Sequence, residues 1–265
     1  MVPVEEQIER YYDTVPRSFA RPQEIGPFTL FVAARGFPYY ARPTLGGPAT
    51  FTAADLAAVL ERQDELGLPR SFEWVHETTP GLAGAARAAG LVVHEHPLMV
   101  LGTPAWPEWP RGIQVRMVRR GDRALPALRA AVQTGFSSPG TAVSAIGVTE
   151  REAAIDRRDP LIAFTRSRIR RHLLAMVVAE DGTGPVGGGS HAPRHGVTEL
   201  TGIATLPAYR RRGIGAMVTA HLVADALEGG VELCFLSADT DEVARIYEKV
   251  GFAQMGTACV AEPPR

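Results

Sequence analysis

The sequence predicts an α/β protein in which helices pack on a mixed central sheet, arranged as two domains. The chain has 265 residues, enough for one large domain or two ordinary ones. Short apolar runs typical of strands alternate with amphipathic helical stretches in both halves. Between the halves, GTPAWPEWPRG carries three prolines at three-residue spacing, which favours a stiff connector. We therefore expect domains at 1–103 and 113–265, joined by a Pro/Trp connector at 104–112.

The composition excludes several classes of protein. With 45% hydrophobic and 22% charged residues, the chain has the composition of a globular protein with a substantial core. A net charge of −1 makes nucleic acid an unexpected partner. We find no apolar run of the about 18 residues that span a membrane and no signal-peptide pattern, so a cytoplasmic protein without a membrane partner is expected.

The two cysteines, Cys234 and Cys259, are too few for a disulfide framework or a four-cysteine zinc site. The pattern His94-Glu95-His96 lies on a predicted strand and lacks helical spacing, so it favours surface residues over metal ligands. No metal is expected. The sequence leaves open whether the protein is a monomer or a homodimer.

The second half is predicted in the order strand, two helices, three strands, helix, strand, helix, strand. The second of these helices is expected to begin near Thr149, because Glu152 stands in capping-box spacing to it. Two further helices are predicted at 213–228 and 241–250. The strands are expected at 113–118, 173–180, 186–192, 197–206, 231–236 and 252–260.

The first half is predicted to contain helices at 4–14, 53–66 and 80–89, with strands at 28–34 and 71–77 and two more before the connector. Residues 72–101 and 234–260 share the order strand, turn, helix, glycine, strand. Gly90 matches Gly251 at an offset of 161 residues. Two interpretations remain open: the first half is a degenerate copy of the second, or any two strand–helix–strand segments would look alike.

Residues 199–216, ELTGIATLPAYRRRGIGA, carry the chemistry. A strand ends before Pro207, and a short arginine-rich loop leads into a helix that follows two glycines. Glycine lets the backbone turn sharply, and a helix N-terminus offers unpaired N–H groups and a positive dipole end. Together these features predict an anion site suited to a pyrophosphate. A dinucleotide fingerprint would need a third glycine, and a Walker loop would need a lysine here.

The run R-x-x-G-x-G at Arg210, Gly213 and Gly215 resembles the acyl-CoA pyrophosphate loop of the GNAT N-acetyltransferase superfamily. The preceding strand with Pro207 and Tyr209 is similar to that family's splayed fourth strand, and Tyr247 followed by Gly251-Phe252 resembles its second signature helix. The resemblance covers about 113–260. It implies the GNAT fold, possession of an acetyl-CoA site, and a tandem arrangement if the first half is a degenerate copy.

The resemblance also implies roles for individual residues. The backbone of Ile203, Ala204 and Thr205 would run beside the pantetheine arm, and one N–H there would polarise the thioester carbonyl. Thr240 stands where family members often have an asparagine, which puts that side-chain contact in question. The pyrophosphate would be held by the loop and the first helical turn, namely Arg210, Arg211, Arg212, Gly213, Ile214, Gly215 and Ala216.

Two residues are candidates for proton transfer. Tyr247 resembles the family's general acid for the departing thiolate, and the alternative is a tyrosine of the core. Glu199 is the candidate base, because strand alternation would place it on one face with Thr201, Ile203 and Thr205. The alternative is an ordinary strand residue, with a chain of water molecules as the base.

The expected function is an acyl-CoA-dependent N-acyltransferase that transfers an acetyl group to a primary amine of a small molecule, directly in a ternary complex. A protein amine is the alternative acceptor, and a non-catalytic acyl-CoA sensor is the alternative function. Residues 135–148 contain three glycines and no charged residue, and they are expected to form a mobile wall over the acceptor.

Overall fold

The computed structural model describes residues 2–34 and 40–264. Its contacts divide the chain into a first unit, residues 1–98 with 255–265, and a second unit, residues 99–254. The predicted boundaries placed everything after 113 in one domain. The structure instead assigns the C-terminal residues to the first unit, because the final strand pairs there.

In its described residues the first unit contains three helices and a mixed set of strands. The elements in chain order are α1 (Val4–Arg17), β1 (Ala20–Ile25), β2 (Phe28–Ala33), β3 (Ala41–Pro43), α2 (Ala53–Glu65), β4 (Phe72–Val75), α3 (Leu82–Ala88), β5 (Val92–Leu101) and the end of β11 (Phe252–Glu262). Strands β1, β2 and β3 pair antiparallel in succession, whereas β3 and β4 are parallel, and the last strand, β11, runs antiparallel to β4.

The core of the first unit forms where the apolar faces of α2 and α3 meet the inward residues of these strands. Phe28, Leu56, Phe72 and Trp74 are all buried in it. The predicted start of α2 after Thr52 is confirmed. Strands β1 and β3 were not predicted, because ARPQEI and ARP lack apolar alternation, and only pairing with β2 makes them strands.

The second unit contains five strands in the order β6-β7-β8-β9-β10, all antiparallel except the parallel pair β9 and β10. The predicted α/β class with a mixed sheet is confirmed. The elements are β6 (Gln114–Met117), α4 (Leu125–Phe136), α5 (Val148–Ala153), α6 (Pro160–Arg170), β7 (Ala175–Asp181), β8 (Gly184–His191), β9 (Val197–Thr205), α7 (Ile214–Glu228), β10 (Leu233–Ser237) and α8 (Asp241–Glu248).

Three helices, not two, separate β6 from β7. The predicted capping box of Thr149 and Glu152 is wrong, because α5 begins one residue earlier and the carboxylate of Glu150 accepts the Gly147 N–H at 2.6 Å. A separate helix, α6, then begins at Pro160. Its cap is Asp159, which accepts the Leu161 N–H at 2.8 Å.

Helix α7 is apolar on nearly all sides and lies at the centre of the second unit's core. Buried His191 of β8 fixes it to the sheet, since its Nε2 lies 2.9 Å from the Asp225 carboxylate and its Nδ1 lies 3.1 Å from the Thr198 hydroxyl. Helix α4 packs on the opposite face of the sheet, where Gly135 of α4 lies against Ala204 of β9. Among the described residues, no helix is long and apolar enough to cross a membrane.

Candidate functional site

The loop between β9 and α7 leaves the N-terminus of α7 open. The chain leaves β9, makes a short 3-10 turn at Pro207–Tyr209, and enters α7 after Gly213. Gly213 has φ of 79°, the left-handed conformation that favours glycine, and it offers no side chain to cap the helix. The first turn of α7 also carries no acidic residue. Its N–H groups and positive dipole end are therefore available to an anion.

Strands β9 and β10 run parallel only at their beginning. Their register joins Val197 to Leu233, Thr198 to Cys234 and Glu199 to Phe235. Strand β9 continues to Thr205, six residues beyond the last of these pairs. The later part of β9 therefore extends beyond its pairing with β10, and an extended ligand can pair with the backbone edge of such a strand.

A β-bulge interrupts β9 in this divergent part. Thr205 and Ala204 pair with Gly187 and Gly188, but the next pair joins Thr201 to Ser190. Two residues of β9, Gly202 and Ile203, therefore face one residue of β8. Gly202 adopts φ of 63°, a left-handed value that a bulge requires and that glycine adopts without strain. The bulge shifts the alternation of side chains by one position.

The prediction that Glu199, Thr201, Ile203 and Thr205 share one face is therefore wrong. Glu199 and Thr201 share a face with Ala204, whereas Ile203 and Thr205 point to the opposite face. Ala204 lies against α4, because a Cβ placed on Gly135 would be 2.9 Å from the Ala204 Cβ. Ile203 packs instead against the cluster formed by α7. Strict alternation in the sequence concealed this shift.

Glu199 is consequently on the α4 side of the sheet. It is half-buried and forms the last parallel pair before the strands diverge. Ser190 lies nearby on the same face, with its hydroxyl 3.2 Å from the Thr201 hydroxyl and 3.3 Å from the Thr201 carbonyl oxygen. The sheet thus presents one carboxylate and two hydroxyls beside the bulge.

Tyr247 lies on α8 and is 7% exposed. Its ring meets Phe252 edge-on, with 6.4 Å between the ring centroids. Burial, with a smaller contribution from the negative charge of Asp239, raises the pKa of the Tyr247 phenol to about 12. The phenol therefore keeps its proton at neutral pH.

Helix α8 lies against the start of α7, since a Cβ on Gly215 would be 3.7 Å from Ile246. Thr240 is the N-cap of α8, and its hydroxyl accepts the Val243 N–H at 3.3 Å. The Thr240 side chain thus has a structural function in its own helix. A contact between Thr240 and the pantetheine arm stays a prediction.

The three loop arginines have different surroundings. Arg210 points away from the helix N-terminus and donates to backbone carbonyls of residues 135–142. Arg211 has a left-handed backbone conformation, with φ of 63°. Its guanidinium donates to the Thr141 hydroxyl and the Glu242 carboxylate at the surface. Arg212 lies over the Tyr209 ring at 5.1 Å and donates to the Arg111 carbonyl at 3.2 Å. The sequence did not predict these carbonyl partners, since they lie about 70 to 100 residues earlier.

Residues 104–110 have no regular structure, and Trp106 and Trp109 are 64% and 56% exposed, with both rings edge-on to His221. The predicted close packing of these tryptophans is therefore only partial. Within residues 2–34 and 40–264, no three His, Cys, Asp or Glu residues are grouped as a metal site would require.

The family comparison covers the part of the chain that forms this site. Residues 145–252 match the Acetyltransferase (GNAT) family, a span that includes β9, the glycine loop, α7 and α8. By this match the chain contains a GNAT acetyltransferase domain at residues 145–252. No curated protein sequence matches the chain.

Solved structures share the fold over the whole chain. A GCN5-related N-acetyltransferase from Kribbella flavida has 22% identity and a TM-score of 0.71, with 100% of this chain and 97% of that chain covered. An acetyltransferase of the GNAT family from Novosphingobium aromaticivorans has 15% identity, a TM-score of 0.58 and full coverage of both chains, 100% each. A tandem GNAT protein of the clavulanic acid biosynthesis pathway has 14% identity and a TM-score of 0.53, covering 90% and 79% respectively.

Proposed function

We propose that this protein is an acyl-CoA-dependent N-acyltransferase that transfers an acetyl group from acetyl-CoA to a primary amine of a small molecule. One observation carries the proposal: the N-terminus of α7, which has Gly213 as its cap, comes directly after strand β9, which extends beyond its pairing with β10. The first feature suits a pyrophosphate and the second suits an extended arm, and acetyl-CoA carries both groups in sequence.

In this proposal the backbone does most of the binding. The N–H groups between Arg211 and Ala216 hold the pyrophosphate, and the edge formed by Ile203, Ala204 and Thr205 pairs with the pantetheine arm. The bulge at Gly202 frees backbone groups from the ladder with β8. A freed N–H is well suited to donate to the thioester oxygen as negative charge develops on it.

Transfer from an ammonium requires two protons to leave the nitrogen, one before the attack and one as the amide forms, and one proton to reach the sulfur. Glu199 takes the first ammonium proton directly or through water, since it is half-buried on the α4 face beside the bulge. The amine nitrogen then attacks the thioester carbon, a C–N bond forms, and the C–S bond breaks to release CoA. Tyr247, protonated at neutral pH, supplies a proton to the thiolate, and the second proton lost by the nitrogen returns to the phenol. The acyl group passes directly from sulfur to nitrogen in a ternary complex.

Calorimetry with acetyl-CoA, CoA and ATP tests the first half of this proposal, and thiol release with a panel of small primary amines tests the second. Acetyl-CoA binding in preference to ATP, followed by amine-dependent thiol release, would support a transferase. Binding without release from small amines or peptide amines would favour a non-catalytic acyl-CoA sensor. Preference for ATP would contradict the assignment of the loop.

We also propose that the first unit is a degenerate copy of the acyltransferase fold. Its order β1-β2-β3-α2-β4-α3-β5 repeats the order β7-β8-β9-α7-β10-α8-β11, with the same parallel step between the third and fourth strands. Strand β4 begins at Phe72 and β10 at Leu233, the offset of 161 that the sequence suggested. The first copy lacks the glycine loop, so we expect it to bind no acyl-CoA.

A further inference from the structure

We propose that Arg210 is a positioning residue that anchors residues 136–146, here called the wall segment, to the cofactor loop. This inference rests on the proposed function, because it assigns the wall segment to the acceptor side of the acyltransferase site. As a consequence, CoA binding and the ordering of the wall-segment backbone on the acceptor side are coupled.

The Arg210 guanidinium is engaged by backbone carbonyls rather than directed at the helix N-terminus. Its Nη2 donates to the carbonyls of Gly135 at 2.8 Å and Ser138 at 2.5 Å. Its Nη1 donates to the Ala142 carbonyl at 3.2 Å. Three of the five N–H donors of the side chain are therefore used on one short stretch of backbone. Such a pattern fixes the course of that backbone.

Because Arg210 is partly buried, its hydrogen bonds to the wall segment are stronger than the one made by Arg211. Removal from water lowers the pKa of Arg210 below its ordinary value, and the three carbonyls replace the lost water. Arg211 also reaches the wall segment, through the Thr141 hydroxyl at 3.3 Å, but its side chain is 66% exposed. Exposed contacts of this kind contribute little.

The wall segment has few other attachments, one of which is at the surface, where the Thr141 hydroxyl donates to the Glu242 carboxylate. None of residues 136–146 is buried, and the segment contains no charged side chain. Its far end is tied by the Ala208 N–H, which donates to the Ile146 carbonyl at 2.9 Å. The bonds that hold both ends of the segment thus come from residues 208–210, directly before the pyrophosphate loop.

The anchoring point is also close to the strand that would receive the pantetheine arm. Gly135 lies so near β9 that an added Cβ would be 3.1 Å from the Thr205 carbonyl oxygen. Glu199 stands on the same face of that strand as Ala204, which Gly135 touches. A movement at Arg210 would therefore reach the wall segment and the reacting face together. By thermodynamic linkage, if CoA binding orders the wall segment, ordering of the wall segment favours CoA binding to the same extent.

Hydrogen exchange of the full-length protein, with and without CoA, tests the inference. In Arg210→Ala, amides of 136–147 should exchange about tenfold faster or more than in the wild type. Arg210→Lys should behave similarly, since an ammonium cannot donate to three separated carbonyls. Arg212→Ala is the matched control, because it removes the same charge from the same loop and should leave this exchange unchanged. Adding CoA should slow the exchange in the wild type but not in Arg210→Ala.

Two results would overturn the inference. Unchanged exchange of 136–147 in both Arg210 variants would show that the wall segment does not depend on this side chain. Equal slowing by CoA in wild type and Arg210→Ala would show that there is no coupling. Calorimetry separates these failures from failure of the proposed function: if the wild type binds no CoA, the function is wrong, whereas a faster exchange in Arg210→Ala would still establish the anchor.

Discussion

Helices α2 and α7 stand at the same point of two similar topologies, yet only one has an N-terminus open to a ligand. At α2, the Thr52 hydroxyl accepts the Asp55 N–H at 3.2 Å, and the Asp55 carboxylate accepts the Thr52 N–H at 2.8 Å. The Thr52 hydroxyl also donates to the Asp55 carboxylate at 2.7 Å, and this bond, together with that from the Thr52 N–H, lowers the pKa of Asp55, so a negative charge occupies that end. At α7 the cap is Gly213, and no acidic residue lies in the first turn.

The comparison shows that the same order of strands and helices can serve stability in one unit and binding in the other. A capping box satisfies the orphan N–H groups internally, whereas a glycine cap leaves them for an external anion. The charges follow the same division. The first unit has 13 acidic and 9 basic residues, and the second has 16 acidic and 19 basic residues. The unit with the open helix is the one that would attract an anionic substrate.

The largest expected effect is on ligand binding at α7. Gly213→Val forces a β-branched residue into φ of 79°, so the loop must change shape and acetyl-CoA affinity should fall by about 100-fold or more. Gly46→Val is the matched control, because Gly46 also has positive φ, 72°, and open space around it, but lies in the first unit. Calorimetry measures both. Loss of affinity in Gly46→Val of similar size would remove the distinction between the two units.

Tyr247→Phe should lower kcat by about 100-fold or more while the acetyl-CoA dissociation constant changes little. The phenyl ring keeps the contact with Phe252, so the melting temperature should stay close to that of the wild type. Because the pKa of the phenol is raised to about 12, wild-type kcat should not fall through loss of this proton until the pH approaches that value. Unchanged turnover in the variant would make Tyr247 a core residue only.

Glu199→Gln should lower kcat/KM for the amine by about 10-fold to 100-fold, since the amide cannot accept the ammonium proton. Steady-state kinetics over a range of pH would measure the effect. Thr198→Val on the adjacent position is unsuitable as a control because Thr198 contacts His191. Thr201→Val, exposed on the same face as Glu199, removes a hydroxyl at nearly constant shape and is the control for a general disturbance of this face. Unchanged kcat/KM in Glu199→Gln would exclude the carboxylate as the base and leave a water chain.

Thr52→Ala should destabilise the first unit by about 1 kcal/mol, because the Asp55 N–H loses its acceptor. The substitution should not create acetyl-CoA binding, since no R-x-x-G-x-G run precedes α2. Thr50→Ala changes an exposed threonine of the same loop and should have no effect. Native-state hydrogen exchange of α2 gives the stability of this unit. Acetyl-CoA bound at α2 in the variant would show that the capping box is what blocks that site.

The smallest effect concerns the pH dependence of the first unit. Burial raises the pKa of Glu73 to about 7, partly offset by Arg42, whose Nη1 is 3.8 Å away. The folded unit thus favours the protonated acid, and this contribution to stability is complete below about pH 4.5 and is lost as pH rises through 7. Glu73→Gln should flatten the change between pH 5 and 8. Because 23% of the Glu73 side chain is exposed, we expect the free energy of unfolding of the first unit to change by about 1–2 kcal/mol between these pH values.

Exchange of the β4 amides at pH 5 and pH 8 would measure this effect. Glu61→Gln, at an exposed position of α2, controls for the loss of one carboxylate. A wild-type first unit equally stable at both pH values would contradict the raised pKa of Glu73.

Most of the second unit's helices and strands followed from periodicity, but some features could not. Strand alternation placed Glu199 and Ile203 on one face, and the bulge at Gly202 separated them. A bulge depends on how two strands pair, and the sequence of one strand does not contain that information. The split of α5 from α6 was closer to local signals, since Asp159-Pro160 is a typical helix start.

The sequence by itself determined the glycine loop and the starts of α2 and α7, because left-handed glycine and helix-start signals act within four residues. Only the tertiary structure decided that Arg210 holds the wall segment, whose carbonyls precede it by 68 to 75 residues. The same is true of β11, which pairs with β4 although Trp74 and Cys259 are 185 residues apart in the sequence and Glu73 and Val260 are 187 apart. Such contacts depend on where distant backbone comes to lie, and that is set by packing rather than by neighbours in the chain.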